Sequence, residues 1–161
     1  GATGVYLHGG VVDNNFANGR FEVLRDFLQQ ARDLGSIAGF AAHNPEALTW
    51  INENMEVDFH MCSYYNPTDR SQHAGHIATG EKWDAEDRAK MLAVIATLKA
   101  PAVHYKVFAA GNKPILPAFE VIGANMREND VALLGFFPKD DPEMIAKDVA
   151  LFDEHVDAVS A

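Results

Sequence analysis

The stretch VDFHMCSYYNPTDR, residues 57–70, decides the fold that the sequence predicts. Its first nine residues have the β-branched and aromatic character of a strand, and Asn66-Pro67 ends that strand because proline cannot donate to a β-ladder. In an extended chain alternate side chains share a face, so His60 and Cys62 lie together on one side. We therefore expect helices on one side of this strand and a polar interior, the mouth of a barrel, on the other.

A strand-then-helix unit occurs five times along the chain. Short apolar runs alternate with segments in which apolar residues recur at helical spacing, and this alternation predicts a parallel sheet with crossover helices. The predicted strands cover residues 4–8, 36–43, 57–65, 102–109 and 131–137, and the predicted helices cover 20–34, 117–127 and segments that begin at 44, 84 and 141. We expect one α/β domain over residues 1–161, with an unusually long polar connection at 67–83.

Local signals mark the ends of several helices. Asn44-Pro45-Glu46 combines a capping side chain, a proline at the first helical position and an acid in the first turn. Asp84 is placed to cap the helix that follows it. Gly35 is placed to end the helix over residues 20–34 in the left-handed conformation.

Two architectures are compatible with this pattern, an open doubly wound sheet and a (β/α) barrel. Strands of an open sheet are covered on both faces and read as continuous apolar runs. Here titratable side chains collect toward the carboxyl ends of four strands, where barrel enzymes place their chemistry: His8, His43, His60 with Cys62, and His104 with Lys106. In the fourth strand we expect His104 and Lys106 to face inward and Tyr105 to face helices. The pattern favours a partial (β/α) TIM-type barrel with parallel strands.

Five units do not close such a barrel, which contains eight. The remaining interior and two sheet edges would be exposed unless something covers them. Either three earlier units precede the present chain, which its abrupt start GATGVYLHGG favours, or the chain forms a homo-oligomer.

Composition restricts the partners. The net charge of −10 argues against nucleic acid or an anionic membrane as a partner, because phosphate binding requires clustered Lys and Arg. The sequence contains neither a long apolar run nor a leader, so we expect no membrane insertion and no export. The single cysteine, Cys62, fits a reducing compartment, and we expect a cytoplasmic location.

Four motifs in the same order resemble the carboxyl-terminal half of the aldo/keto reductases, which are (β/α)8 barrels. The motifs are GVYLHGG (4–10), AGFAAHNPEAL (38–48), VDFHMCSYYNPTDR (57–70) and GFFPKDDPEMIAKDV (135–149). The chain is also similar to uncharacterised bacterial barrels related to these reductases. The resemblance implies an oxidoreductase that uses NADP or NAD on a small carbonyl or sugar-like substrate, and that substrate is the small-molecule ligand we expect.

The resemblance also suggests roles for particular residues. His8 corresponds to the catalytic histidine of the family, Tyr65 and Asn66 to the turn after the sixth strand, and Lys139 to the loop that holds the cofactor phosphate. The family's catalytic Asp, Tyr and Lys belong to earlier strands that this chain lacks. We therefore expect no reductase activity from this chain alone.

The chain departs from the family at the cofactor site. Ala41, Ala42 and Cys62 stand where the family binds the nicotinamide amide, and alanine side chains offer no donor or acceptor. Asp140 and Asp141 follow Lys139 and would repel a phosphate. These departures leave two alternatives open: a barrel of another activity, related to sugar isomerases or aldolases, or a non-catalytic half barrel that self-associates.

Several candidate pocket residues have both a functional and a structural interpretation. His8 is either a general acid or a histidine hydrogen-bonded to the backbone beside Gly9-Gly10. His43 either lines the pocket or is an ordinary loop histidine. His60 and Cys62 have the ligand types that zinc prefers, but a structural site needs four ligands, so we expect an interior histidine, a buried thiol and no metal.

Lys106 is the residue for which the sequence suggests the most chemistry. An inward lysine can form a Schiff base with a carbonyl substrate or hold an anionic group, since burial lowers the pKa of its amine. The structural alternative is an ion pair between Lys106 and Asp58 or another interior carboxylate. We take His8 and Lys106 as the candidate catalytic residues.

The remaining candidates are weaker. Tyr64, Tyr65, Asn66 and His104 complete the predicted substrate pocket, where the tyrosines either stack on a ring or simply pack. Residues 110–113 form a possible phosphate loop with a single glycine. His73 and His76 have the spacing of a metal pair, which arises commonly by chance in a polar loop.

Overall fold

The computed structural model describes residues 2–66 and 83–156, and within them the chain is an α/β fold. Five strands form the sheet: β1 (Gly4–Leu7), β2 (Ile37–Ala42), β3 (Phe59–Ser63), β4 (Ala102–Tyr105) and β5 (Val131–Leu133). The helices of the described residues are α1 (Gly9–Ala17), α2 (Phe21–Asp33), α3 (Pro45–Asn54), α4 (Ala85–Ile95), α5 (Ile115–Asn125) and α6 (Met144–His155), with a short 3-10 turn at Ala109–Gly111.

All five strands are parallel, and they lie in the sheet in the order in which they occur in the chain. Every crossover therefore steps to the neighbouring strand in the same direction. Phe40 of β2 is level with His60 of β3, and Cys62 of β3 is level with His104 of β4. Because paired residues of neighbouring parallel strands point to the same side, these four side chains share one face of the sheet.

That face, which we call the helix-covered face, carries most of the core. Its side chains are Val5, Leu7, Ala38, Phe40, Ala42, His60, Cys62, Ala102, His104 and Ala132. The ring of Phe40 lies 5.5 Å from the ring of Phe27 on α2. Leu28, Ile51 and Ile95, from three different helices, belong to the same buried apolar cluster. Burial of this cluster is the main stabilising contribution that the fold offers.

The other side of the sheet, the opposite face, is different. Its side chains are Tyr6, Ile37, Ala41, Phe59, Met61, Ser63, Val103, Tyr105, Val131 and Leu133, with Gly39 among them. In the middle of the sheet Met61 and Ser63 are buried, whereas Tyr6 (48%) at one edge and Leu133 (52%) at the other are about half exposed. The opposite face is thus an apolar surface that is open at both edges of the sheet.

The predicted orientation of β3 and β4 is wrong. His60, Cys62 and His104 were expected to face a polar interior, but they lie on the helix-covered face, and Tyr105 lies on the opposite face. Polarity was a misleading guide here, because a histidine can be buried when hydrogen bonds or a neutral ring make burial tolerable.

Three predicted helix ends are confirmed. The Asn44 side chain accepts a hydrogen bond from the Glu46 backbone N–H at 2.9 Å, and Asp84 accepts one from Glu86 at the same distance. Gly35 has a φ of +71°, the left-handed conformation that ends α2.

Two features of the helices differ from the prediction. Helix α1 was not predicted, because the first helix was expected only at residues 20–34; instead a helix begins directly after β1, and His8 caps it through its side chain. In α6, the helical spacing of the apolar residues Ile145 and Val149 predicts that both are buried, yet both are about half exposed, and the buried residue between them is Asp148. Across the described residues, no helix is both long enough and apolar enough to cross a membrane.

Candidate functional site

Three side chains from separate parts of the chain meet near the carboxyl ends of the central strands. Asp13 lies on α1, His43 directly follows β2, and Lys106 directly follows β4. The Asp13 carboxylate lies 2.9 Å from His43 Nδ1, and the Lys106 amine lies 2.7 Å from His43 Nε2. We call Asp13, His43 and Lys106 the lysine triad.

Asp13 determines which ring nitrogen of His43 acts as a proton acceptor. Its carboxylate is fully buried and also accepts the backbone N–H groups of His43 and Asn44, each at 3.1 Å. An ionised carboxylate is only an acceptor, so His43 Nδ1 carries the proton that it shares with Asp13. His43 Nε2 is then the acceptor that faces the Lys106 amine.

The Lys106 amine has a pKa near neutral pH. Burial lowers its pKa to about 8, although the Asp13 carboxylate acts in the opposite direction. With that pKa, roughly a tenth of the amine is neutral at pH 7. A neutral amine is a nucleophile, and a lysine in this range is typical of Schiff-base chemistry. The predicted ion pair with Asp58 does not form, because Asp58 instead accepts the Ala38 backbone N–H at 2.7 Å.

The backbone that carries Lys106 is strained. Lys106 has a φ of 59°, and Ala109 and Ala110 have φ values of 51° and 54°. Residues with a Cβ atom rarely adopt this left-handed conformation, and such residues concentrate at functional sites. We call residues 106–111 the left-handed turn; it directs the Lys106 side chain toward His43 where a continued strand would not.

The absence of a side chain at Gly9 leaves room for the His43 ring. A Cβ atom at Gly9 would lie 2.9 Å from His43 Cε1 and 3.0 Å from Nδ1, which is closer than side chains tolerate. At Gly10, one residue further on, the same atom would make only ordinary contacts at 3.6 Å or more. Close packing of α1 against the imidazole therefore requires glycine at position 9.

Tyr105 and Ser63 border the lysine triad on the opposite face. The Tyr105 ring centre lies 6.4 Å from that of His43 and 5.6 Å from the Lys106 amine. Burial raises the pKa of the Tyr105 phenol, while a hydrogen bond from Ser63 acts to lower it. The phenol thus stays protonated near neutral pH and can serve as a hydrogen-bond donor.

A cavity of about 830 Å³ begins at Lys106 and extends past the ends of β4 and β5 toward α6. Its apolar wall includes Phe108, Leu133, Leu134, Phe136 and Phe137. Its charged groups are Lys106, Lys113, Asp140 and Asp148. The volume of the cavity suits a small organic molecule. Its mostly apolar walls favour a molecule that is itself largely apolar.

His104 and Tyr64 belong to a separate, structural network beneath the triad. The Tyr64 hydroxyl lies 2.9 Å from His104 Nδ1, and Asp130 lies 3.2 Å from His104 Nε2. Arg127 binds both oxygens of Asp130, at 2.8 and 3.0 Å. Although burial alone would raise it, hydrogen bonds from Arg127, Ala102 and His104 hold the pKa of Asp130 at about 2. Burial lowers the pKa of His104 and raises that of Tyr64.

His60 and Cys62 also lie apart from the triad, in the core. Burial raises the pKa of the Cys62 thiol, which makes it a poor nucleophile. Burial, reinforced by the nearby Arg127 charge, lowers the pKa of His60 to about 4. Neither ring nitrogen of His60 has a hydrogen-bond partner among the described residues.

The other predicted site residues are dispersed. His8 is exposed and its Nδ1 accepts the Gly10 backbone N–H at 3.2 Å. Tyr65 is buried, with its hydroxyl 3.2 Å from Arg88, and the Asn66 backbone N–H binds Asp87. Lys139 is exposed. Of the ten predicted site residues, the structure joins only His43 and Lys106 by a direct contact in the triad.

The cavity residues do not fit the phosphate of a nicotinamide cofactor. Asp140 and Asp148 line the cavity, whereas Lys139, the cation expected at the phosphate, is not among its lining residues. The two carboxylates balance the two lysines of the cavity, Lys106 and Lys113, so its lining has no excess of positive charge for a phosphate group. In the described part of the chain, no cluster of three His, Cys, Asp or Glu side chains is arranged to hold a metal ion. His73 and His76 lie outside the described residues.

Sequence reasoning missed three residues of the triad and its neighbouring cavity. Asp13 had a signal, because it is a single acid directly after the small and apolar run GGVV (residues 9–12). The helix around it was not predicted. Tyr105 was assigned to the wrong face. Asp148 was hidden between Ile145 and Val149, which were expected to form the buried stripe. A buried acid within a helix has no local sequence signature.

Comparisons with known proteins add no identity to this geometry. The chain matches no protein-family model, no curated protein and no solved structure.

Proposed function

We propose that the chain belongs to a (β/α) barrel enzyme that acts on a small carbonyl compound, with the Lys106 amine as the attacking group. The observation that carries this proposal is the 2.7 Å contact between the Lys106 amine and His43 Nε2. That contact supplies a proton acceptor at the nucleophile, and Asp13 orients the acceptor from behind. An amine paired with an oriented base is the arrangement that nucleophilic catalysis requires.

The reaction step follows from the residues of the triad. The neutral Lys106 amine adds to the carbonyl carbon, and the electron pair of the C=O bond moves to oxygen. His43 Nε2 accepts the proton released by the nitrogen, and the resulting imidazolium is stabilised by Asp13. Return of that proton to the oxygen gives a carbinolamine. Loss of its hydroxyl as water, with a second proton taken from solvent, leaves a protonated imine on Lys106.

The barrel part of the proposal is supported by the strand order and the opposite face. A sheet whose strands follow chain order, wound by right-handed crossovers, keeps its helices on one side. The other side is then left for an interior, and here it is apolar. In this interpretation the five strands form a segment of a barrel, and the lysine triad lies at the carboxyl-terminal rim where barrel enzymes act.

Reductive trapping tests the proposed chemistry. The full chain is incubated with an aldehyde and sodium cyanoborohydride, which reduces the imine to a secondary amine, and the modified lysine is located by peptide mass mapping. We expect Lys106 to be modified much faster than exposed Lys90, with a rate that rises with pH to a plateau above about 8. Lys90→Arg serves as the control and should leave this rate unchanged. Equal modification of Lys106 and Lys90 would refute the proposal.

An aldo/keto reductase-like oxidoreductase is the second candidate. The sequential order of five parallel strands is what the carboxyl-terminal half of such a barrel requires. The carboxylates of the cavity weigh against its cofactor. Titration of the chain with NADPH and with NADH, followed by cofactor fluorescence, separates the candidates, because saturable binding favours the reductase and its absence favours the lysine chemistry.

A further inference from the structure

The cavity beside Lys106 contains a buried carboxylate that no described protein group satisfies. Asp148 of α6 is only 2% exposed, and within residues 2–66 and 83–156 its side chain forms no hydrogen bond or ion pair. Burial and the nearby Asp141 raise the pKa of Asp148. The Asp148 oxygens are not among the fully enclosed polar atoms of the described residues, so they open into the cavity, where a ligand group can pair with them.

The region between Lys106 and Asp148 is apolar. Phe108, Leu134 and Phe136 line the same cavity, and its volume of about 830 Å³ exceeds that of a single benzene ring with its substituents. A sugar would place several hydroxyl groups against these walls and leave them without partners, which is unfavourable. An aryl or alkyl group would be accommodated there.

From this arrangement we infer the substrate class: an apolar, preferably aromatic, aldehyde or ketone that carries a hydroxyl group at its far end. Its carbonyl carbon meets the Lys106 amine, and its hydroxyl donates to Asp148. The inference rests on the proposed function of Lys106 and adds the specificity of the same site. Because Asp148 meets the far end of the substrate, away from Lys106, it also disfavours carbonyl compounds that carry a carboxylate or phosphate at that end, through repulsion between like charges.

A matched series of aldehydes tests this specificity. The probes are benzaldehyde, 3- and 4-(hydroxymethyl)benzaldehyde and 4-carboxybenzaldehyde, each trapped with cyanoborohydride. The ratio of modification at Lys106 to modification at Lys90 corrects for the intrinsic reactivity of each aldehyde. We expect at least one hydroxymethyl probe to exceed benzaldehyde about tenfold in this ratio, and 4-carboxybenzaldehyde to fall below benzaldehyde by a similar factor.

Variants of Asp148 locate the effect. Asp148→Ala should remove the advantage of the hydroxymethyl probe and restore reaction with the carboxylate probe. Asp148→Asn retains an acceptor without the charge, so it should restore the carboxylate probe and keep part of the hydroxymethyl advantage. Asp153→Asn, an exposed change on the same helix, should alter neither ratio.

The outcomes separate the two proposals. Equal ratios for all probes, with Lys106 still selectively modified, would overturn the substrate class and leave the lysine chemistry in place. A lack of selective modification at Lys106 with every aldehyde would overturn both. An unchanged order of probes in Asp148→Ala would show that Asp148 does not bind the hydroxyl group.

Discussion

At the scale of single residues, His43 is the most constrained side chain of the candidate site. Asp13 holds one ring nitrogen, Lys106 contacts the other, and α1 packs against the ring edge at Gly9. A side chain that several contacts already fix in place loses little conformational entropy in the reaction. A preorganised catalytic base requires this property. The position of the imidazole is therefore the property that small substitutions should disturb.

Gly9→Ala should displace the His43 ring, because the added methyl group would lie 2.9 Å from Cε1. We expect the rate of Lys106 modification to fall about tenfold, as misplacement of a catalytic base by a fraction of an ångström commonly has such effects. Gly10→Ala is the matched control, since it adds the same methyl group to the same helix turn without a close contact. A similar rate in both variants would show that the ring position does not depend on Gly9.

His60 makes stability depend on pH. Its pKa is about 4 in the folded chain and near 6.5 when unfolded, so the unfolded state binds more protons between these values. Stability is therefore complete above pH 6.5 and is lost as pH falls toward 4, by on the order of 3 kcal/mol from this residue. Urea unfolding of the wild type and of His60→Leu at pH 7.5 and 4.5 measures this loss, and the variant should lose clearly less. His104, with a lowered pKa of the same sign, contributes to the remaining slope.

At the scale of elements, the Arg127–Asp130 pair ties two successive connections together. Arg127 donates to the carbonyl oxygens of Leu98 and Ala100 in the connection between α4 and β4. Asp130, just before β5, accepts the Ala102 backbone N–H at 2.7 Å. These contacts align the start of β4 with the start of β5, and thereby hold the edge strand in register.

Asp130→Ala should destabilise the fold by about 3 kcal/mol, because it leaves the Arg127 guanidinium and the His104 ring without their shared partner. Chemical denaturation followed by circular dichroism measures the change in the free energy of unfolding. Glu86→Ala, which removes the exposed 2.7 Å ion pair with Lys90, is the control and should have a far smaller effect. Comparable losses in the two variants would contradict the role of the buried pair.

The sequence was most informative where structure depends on local chemistry. The helix starts at Asn44 and Asp84 follow from capping, and the parallel α/β sheet follows from the alternation of strands and helices. His43 and Lys106 were found because titratable residues at strand ends are unusual. The side of the sheet on which His104 lies was not predictable, because its burial depends on hydrogen bonds with Tyr64 and Asp130. Both residues come from distant parts of the chain.

The sequence predicted less of the candidate site than of the fold. Asp13 became functional only because α1 turns back against the end of β2, a tertiary contact that no spacing in the sequence encodes. The left-handed turn also had no signal, as Lys106, Ala109 and Ala110 are residues that normally avoid that conformation.

At the scale of the whole molecule, the opposite face is the feature that demands a partner. Apolar side chains at both edges of the sheet, among them Tyr6, Ile37, Val131 and Leu133, are about half exposed. The buried middle of the sheet separates these two exposed strips, and each strip is apolar surface of the kind that favours association or aggregation. Contact with further strands or with a second copy of the chain would remove this surface from water.

Leu133→Lys should weaken self-association of the isolated chain. A charge in the middle of an apolar contact is costly to desolvate, so we expect the dissociation constant to rise about tenfold or more. Light scattering coupled to size-exclusion chromatography measures the mass over a range of concentrations. Leu34→Lys, at an exposed apolar residue near the end of α2, is the control. A chain that is monomeric throughout this range would refute self-association.

The left-handed turn has a consequence for the history of the chain. Glycine would relax the backbone at position 106, and drift toward a more stable protein would favour it there. Under the proposed function, the chemistry of the Lys106 amine is what offsets this advantage of glycine. Among descendants of this chain, those that have abandoned catalysis should be recognisable by a glycine or asparagine in its place.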